Sequence, residues 1–337
     1  MSTDRPAGGA LGGLAPVVPP ATGQQAELRR GGAVVRVAEL AGVLREFSVD
    51  GTTYTETWPD DELPPMGCGL VLVPWPNRVA GARWPLDGRP QLLDVTEPSR
   101  GNASHGLLRN TGYRIVLGQP DAIRMHATVF PQHGYPFHLE TAVEYRLTDA
   151  GLRVTHTVAN LGAERAPLGV GAHPYLRIGD VPSADLTVTI AADTMVTVDD
   201  RQIPVERVPV DGTRFDLRRG AAVGGLGADT GFTDLTAAAG GRFEHLVTAP
   251  DGRGLMLWTD PDFGWVQVFT PGNFPGPGHP ESRTAVAIEP MTCAADAFNN
   301  GWGLRWLGPG ETWSGSWGLT PLPAGWLSAD DSPSAAG

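Results

Sequence analysis

Between Ile123 and Val129 every second residue is apolar: Ile123, Met125, Ala127 and Val129 share one face, and Arg124, His126 and Thr128 share the other. A period of two predicts a strand with one face on a core and the other toward water. The pattern returns with Phe137, Leu139, Thr141, Val143, Tyr145 and Leu147 opposite His138, Glu140, Glu144 and Arg146. Thr148-Asp149-Ala150-Gly151 then turns the chain into Leu152, Val154, His156 and Val158, which reads as an antiparallel hairpin. Strands are also predicted at 33–37, 42–49 and 52–58, the last two joined by the favoured turn pair Asp50-Gly51, and at 185–190, 194–198, 255–258, 265–270 and 284–288. Leu304 to Trp317 reads as a final hairpin around Gly308-Pro309-Gly310-Glu311. No segment sustains a helical apolar period over an ordinary helix length, and no internal repeat points to a propeller or solenoid. The expectation is an all-β fold, a large antiparallel β-sandwich, built as one domain over residues 26–325. The Ala-, Gly- and Pro-rich segments 1–25 and 326–337 read as disordered.

Composition narrows the partners. The 337-residue chain has a formal net charge of −12, so it lacks the basic balance that nucleic-acid binding requires. Its two cysteines, Cys68 and Cys293, are too few for a disulfide framework or a zinc site and suit a reduced, cytoplasmic setting. No apolar run is long enough to cross a membrane, and the first residues lack the basic start and apolar stretch of a signal peptide.

Four polar clusters stand out at predicted strand–loop boundaries. In Gly169-Val170-Gly171-Ala172-His173-Pro174-Tyr175-Leu176, glycines allow close backbone approach and a proline restricts the histidine before it. The imidazole is then held beside an aromatic ring, with an ordinary pKa near ~6.5. Leu70-Val71-Leu72-Val73-Pro74-Trp75-Pro76-Asn77-Arg78 ends an apolar run on an amide and a guanidinium, and Trp75 is a candidate pocket wall. His105 sits beside Gly106 in a polar loop, and Glu289-Pro290 follows the apolar strand ending at Ile288. A carboxylate partly buried there gains base strength. Taken singly, each cluster also fits a structural role.

Together and in this order, Asn77-Arg78, His105-Gly106, His173-Pro174-Tyr175 and Glu289-Pro290 resemble the aldose 1-epimerase (mutarotase) family, from Val34 to Leu319. The resemblance implies a galactose mutarotase-like supersandwich with its site in a groove on one face. It implies His173 as catalytic acid and Glu289 as catalytic base, with Arg78 and His105 binding the sugar and steadying its ring oxygen. A sugar-binding aspartate three residues before a phenylalanine matches Asp229 in Asp229-Thr230-Gly231-Phe232, with Asp234 as the alternative. Asn77, Tyr175 and Gln267 are further candidate sugar contacts. No metal or organic cofactor is implied, and the partner is a monosaccharide handled by a monomer or homodimer. Anomer exchange needs the C1 hydroxyl deprotonated while the ring oxygen is protonated, which suits one carboxylate and one imidazolium.

Departures from that pattern keep alternatives open. His105-Gly106-Leu107-Leu108-Arg109 lacks a glycine pair after the histidine and resembles the hexose-6-phosphate branch, in which Arg109 meets a phosphate. A non-catalytic sugar-binding protein is the rival outside enzymology, and paired glycosidase carboxylates are not visible. Of the other histidines, His126 and His138 fall on polar strand faces, His156 in phase with the core, and His133, His245 and His279 in or beside loops, with no metal-ligand spacing. The proline-rich loop 271–280 is a candidate cover for the groove.

Overall fold

The alternating stretches lie side by side. In the computed structural model, which describes residues 19–326, the strand Ala122–Val129 pairs with Leu139–Thr148, and that strand pairs with Gly151–Asn160 through the predicted turn. Gly151–Asn160 in turn pairs with Thr312–Leu322. Among the described residues these strands belong to a nine-stranded antiparallel sheet. Tyr145, Val154 and Trp317 stand in register across three neighbouring strands, all buried on the same face. Tyr145 donates its hydroxyl to Gly42 O at 2.6 Å, and Trp317 donates its indole N–H to His156 Nε2 at 3.0 Å. His156 is thus an inner histidine with a partner, and burial pushes its pKa down to about 3.

A second, eight-stranded sheet carries the central strand Trp265–Phe269, flanked by Asp229–Leu235 on one side and Val286–Met291 on the other. Val266, Val268, Ile288 and Phe232 from this sheet join the same apolar cluster as Val143, Val154 and Trp317 from the first. That shared core makes the two sheets a sandwich. The longest described helix, Ala297–Asn300, is a single turn.

Several local expectations change. The chain does turn at Gly308–Glu311, where Glu311 N donates to Gly308 O at 3.0 Å. The two arms do not pair as a hairpin, however: Arg305–Leu307 pairs with Ala166–Leu168, while Thr312–Leu322 joins the nine-stranded sheet. Of the predicted strand 52–58 only Thr52–Thr53 extends the hairpin, because Glu56 N leaves to bond Tyr175 O at 2.9 Å. Glu289 and Pro290 lie within Val286–Met291 rather than beyond its end. His245 lies in the strand Phe243–Thr248 and is buried, not in a loop. Trp75 packs into the core against Phe298 and Tyr135 and forms no pocket wall. Strands at Arg114–Gln119 and Pro204–Pro209 had no clear alternation to announce them, and the alternation of Gln25-Ala26-Glu27-Leu28-Arg29 went unread beside the segment expected to be disordered. Of the terminal segments read as disordered, residues 1–18 and 327–337 lie outside the described residues, whereas Ala21 N bonds Asp60 O at 2.8 Å and the first strand starts at Gln25.

Close backbone approach is sharpest at Gly106, beside His105. Its φ is +75°, and a Cβ there would lie 2.1 Å from Val73 O. Gly81 has φ +60° with open space around it. Gly106→Ala is therefore expected to cost about 3 kcal/mol or more in urea denaturation, against about 1 kcal/mol for Gly81→Ala. Equal losses would contradict this account of the loop.

Candidate active site

Strand register assembles the site. Gly231, Gln267 and Glu289 are successive cross-strand partners, on the face opposite the Val266, Val268 and Ile288 core face. On the other flank of the Glu289 strand, Gly171 pairs with Met291 and Tyr175 pairs with Ala287. Carrying that register across the break between Gly171–Ala172 and Tyr175–Leu176 puts His173 opposite Glu289. The main chain of His173 is tied on its far side, its N–H to Leu70 O at 3.0 Å and its carbonyl to Gly69 N at 2.8 Å.

The result is a short approach between two buried ionisable groups. His173 Nε2 lies 3.4 Å from Glu289 Oε1, and the residues are 4% and 2% exposed. Tyr175 stacks on the His173 ring with centroids 5.2 Å apart and planes 13° apart, and Phe274 packs behind it at 4.8 Å. Tyr175 is fully buried, so it backs the imidazole rather than facing the opening. The half-buried His105 meets His173 in a T-shaped contact at 5.3 Å.

Two loops supply the rest of the wall. Asn77 and His105 both adopt left-handed backbone, φ 53° and 63°, and His105 N donates to Asn77 O at 2.8 Å. Such conformations cost about 1–3 kcal/mol each in a non-glycine residue and gather where function holds them. Arg78 is gripped by Glu97 through a two-pronged pair, Nε to Oε2 at 2.9 Å and Nη2 to Oε1 at 3.1 Å. Its Nη2 also lies 3.7 Å from Asp229 Oδ2, and Gln267 Nε2 donates to Asp229 Oδ1 at 2.7 Å. Asp229 is therefore in the cluster. Asp234 instead faces away, accepting a hydrogen bond from Thr194 Oγ1 at 2.6 Å.

A match to known proteins follows this geometry. The family model described as Aldose 1-epimerase matches residues 24–320, most of the chain. The chain belongs to the aldose 1-epimerase family. Among its relatives, the uncharacterised protein YihR of Escherichia coli is 29% identical over 86% of this chain and 91% of that protein. Human galactose mutarotase is 30% identical over 61% of this chain and 62% of its own length. Two solved structures share the fold: an aldose epimerase homologue from C. elegans, with a TM-score of 0.77, 18% identity and coverage of 89% of this chain and 99% of that one, and a galactose mutarotase-like protein from Clostridium acetobutylicum, with a TM-score of 0.75, 19% identity and coverage of 88% and 94%.

In this aldose 1-epimerase fold the electrostatics of the floor follow from burial. Desolvation lifts the Glu289 carboxyl well above its usual range; the Asp229 charge adds to the rise and Arg78 opposes it. Burial pushes His173 down to about 4; its own main chain opposes this, while Arg109 and Arg78 add to it. Both shifts run toward the neutral forms, a carboxylic acid facing an imidazole. His105 is driven well below its ordinary range by burial and by His173, Arg109 and Arg78. Against the cost of their own burial, Arg78 and Glu97 hold each other charged. Glu289 Oε2, His173 Nδ1 and His105 Nδ1 are buried without hydrogen-bond partners, an arrangement that a polar ligand would relieve.

Sequence reading overlooked Glu97 and Phe274. Each acts through a fold contact with a residue far away in the chain, and no local spacing marks it. Among the described residues no group of three His, Cys, Asp or Glu is placed to hold a metal, and no helix is long and apolar enough to cross a membrane.

The pKa signs can be checked by NMR titration of carboxyl-labelled protein. Asp229→Asn removes a negative charge and should lower the Glu289 pKa; Arg78→Gln removes a positive one and should raise it. Shifts of the opposite signs would show that the Glu289 carboxyl does not feel these neighbours.

Proposed function

We propose that this protein interconverts the α and β anomers of a free aldohexose of the glucose or galactose kind. The observation that carries the reading is the 3.4 Å approach of His173 Nε2 to Glu289 Oε1. The two oxygens borne by C1 lie closer together than one hydrogen-bond length, so paired hydrogen bonds to these two groups suit a single pyranose edge. Glu289, as carboxylate, takes the proton of the C1 hydroxyl. The electron pair of that O–H bond forms the C1 carbonyl, the C1–O5 bond breaks, and O5 takes the His173 proton. Rotation about C1–C2 and the reverse steps give the other anomer. Glu289 gains the proton that His173 loses, so the pair carries one proton throughout.

Arg78 and His105 would offset charge on the ring oxygen, and Asp229, Gln267 and Asn77 would hold hydroxyls. Tyr175 would fix the plane of the imidazole. The two thiols are free and buried, in keeping with a reducing, cytoplasmic setting for a monomer or homodimer.

One feature favours a hexose 6-phosphate as the second reading. Arg109 is half-buried, its one side-chain hydrogen bond is a 3.4 Å contact to Ser104 O, and among the described residues no carboxylate pairs with it. Against it, the acidic chain repels anions at long range.

Polarimetry of fresh α-glucose and α-galactose tests the assignment. Glu289→Gln and His173→Asn should each slow anomerisation by at least ~10²-fold while the protein stays folded. Near-wild-type rates in both variants would remove the pair from the chemistry, and binding without acceleration by the native protein would leave a sugar-binding protein. A clear preference for glucose 6-phosphate, lost in Arg109→Leu, would install the second reading.

A further inference from the structure

Glu56 lies outside the candidate site, yet it is an ion-paired carboxylate only 2% exposed. Its Oε2 accepts from two guanidinium groups, Arg283 Nη2 at 2.7 Å and Arg177 Nη1 at 3.3 Å. A carboxylate taken out of water holds its partners firmly, because leaving its charge unpaired is costly. The two arginines lead to different places. Arg177 turns back on its own segment, donating Nε and Nη2 to Gly179 O at 2.9 and 2.6 Å. Arg283 Cζ lies 5.2 Å from the centre of the Phe274 ring, and the two residues exchange main-chain hydrogen bonds at 2.8 and 2.9 Å.

From Phe274 the path reaches the imidazole. Phe274 is buried and packs on Tyr175 with ring centroids 4.8 Å apart, and Tyr175 stacks on His173 at 5.2 Å. Glu56 also holds this stack directly, since its main-chain N–H donates to Tyr175 O at 2.9 Å. One residue thus secures Tyr175 at its main chain and, through Arg283 and Phe274, at its ring. Among the described residues no other residue hydrogen-bonds His173 Nδ1, the usual way of fixing a catalytic imidazole, so packing sets the tilt of the ring.

We propose that Glu56 and Arg283 form a latch that sets the plane of the His173 imidazole, with Arg283 a positioning residue acting through Phe274 and Tyr175. Resting on the anomerase reading, this gives the returning arm of the proline-rich loop a part in aiming the proton donor rather than in touching the sugar. Proton transfer from Nε2 depends on its direction, so a loosened ring slows the reaction without weakening sugar binding.

The experiment compares wild type, Arg283→Met, Arg283→Lys and Arg177→Met. Polarimetry on the better of glucose and galactose gives kcat and KM, and NMR of protein with isotope-labelled histidines follows the His173 ring, identified by its loss in His173→Asn. Methionine keeps an apolar stem over Phe274 and removes the donors, whereas lysine keeps the charge and a donor. In Arg283→Met kcat should fall about tenfold with KM within about twofold of wild type, and the His173 signal should shift or broaden. Arg283→Lys should return kcat to within about threefold of wild type. Arg177→Met takes a guanidinium from the same carboxylate but leaves Arg283 on Phe274, so its kcat and His173 signal should match wild type. Should Arg283→Met not fold, Phe274→Leu interrupts the same path with no charge left over, and it must reproduce the fall and the shift. An unmoved His173 signal, a KM rise with kcat held, no rescue by lysine, or an equal loss in Arg177→Met would overturn the latch. The NMR readout needs no sugar. If wild type accelerates no aldose while the His173 signal responds to Arg283→Met and not to Arg177→Met, the anomerase reading has failed and the latch stands. If wild type accelerates the sugar and Arg283→Met matches it in kcat, only the latch has failed.

Discussion

Two ionisable side chains, one on a strand and one in the break between two short strands beside it, face each other below the surface, and the cost of desolvating them governs the rest of the site. A buried carboxylate beside a buried imidazolium would gain attraction but lose hydration on both members. The directions of the Glu289 and His173 shifts both run toward the neutral forms. Around them the fixed charges are arranged in compensation: Arg78 lies between Glu97 and Asp229, and Gln267 holds Asp229 in turn. In the proposed anomer exchange the pair ends each ring-opening step in the same neutral form that burial favours. The unfavourable part then falls on returning the proton to imidazole, and the partnerless Glu289 Oε2 marks where a bound sugar would help.

That electrostatic arrangement depends on rigidity supplied by packing. The imidazole packs against Tyr175, stacked on its face, and makes a T-shaped contact with His105, while Phe274 packs against Tyr175 in turn. Phe274 exchanges main-chain hydrogen bonds with Arg283, which also pairs with Glu56 at 2.7 Å. The base of the proline-rich loop is thereby anchored to the same stack as the imidazole. Asn77 and His105 hold left-handed backbone beside one another, a local cost that the surrounding hydrogen bonds and the Gly106–Val73 contact sustain.

The parts of this protein legible from the chain alone are those whose physics is local. Alternation from Ile123 to Val158 announced strands and their turn, because a pleated strand with one wet face needs that period whatever it pairs with. The four polar clusters were visible because glycine, proline and a titratable side chain side by side constrain the backbone within a few residues. The same local reasoning failed at Leu304–Trp317: the turn formed, but its arms found better partners in two different sheets. Strand pairing is a competition among all edges in the molecule, and no turn sequence decides it alone.

Tertiary structure alone decided which groups meet. Asp229 rather than Asp234 enters the cluster because one faces Gln267 across a strand pair and the other faces Thr194. Glu97 became the anchor of Arg78 through a contact between loops separated in sequence. The pKa directions likewise belong to the folded state, since desolvation exists only once the sheets have closed over the side chains. Residue order determined the strands and the chemical equipment. Register and burial determined which of that equipment faces a common hollow, because both depend on the whole packed chain at once.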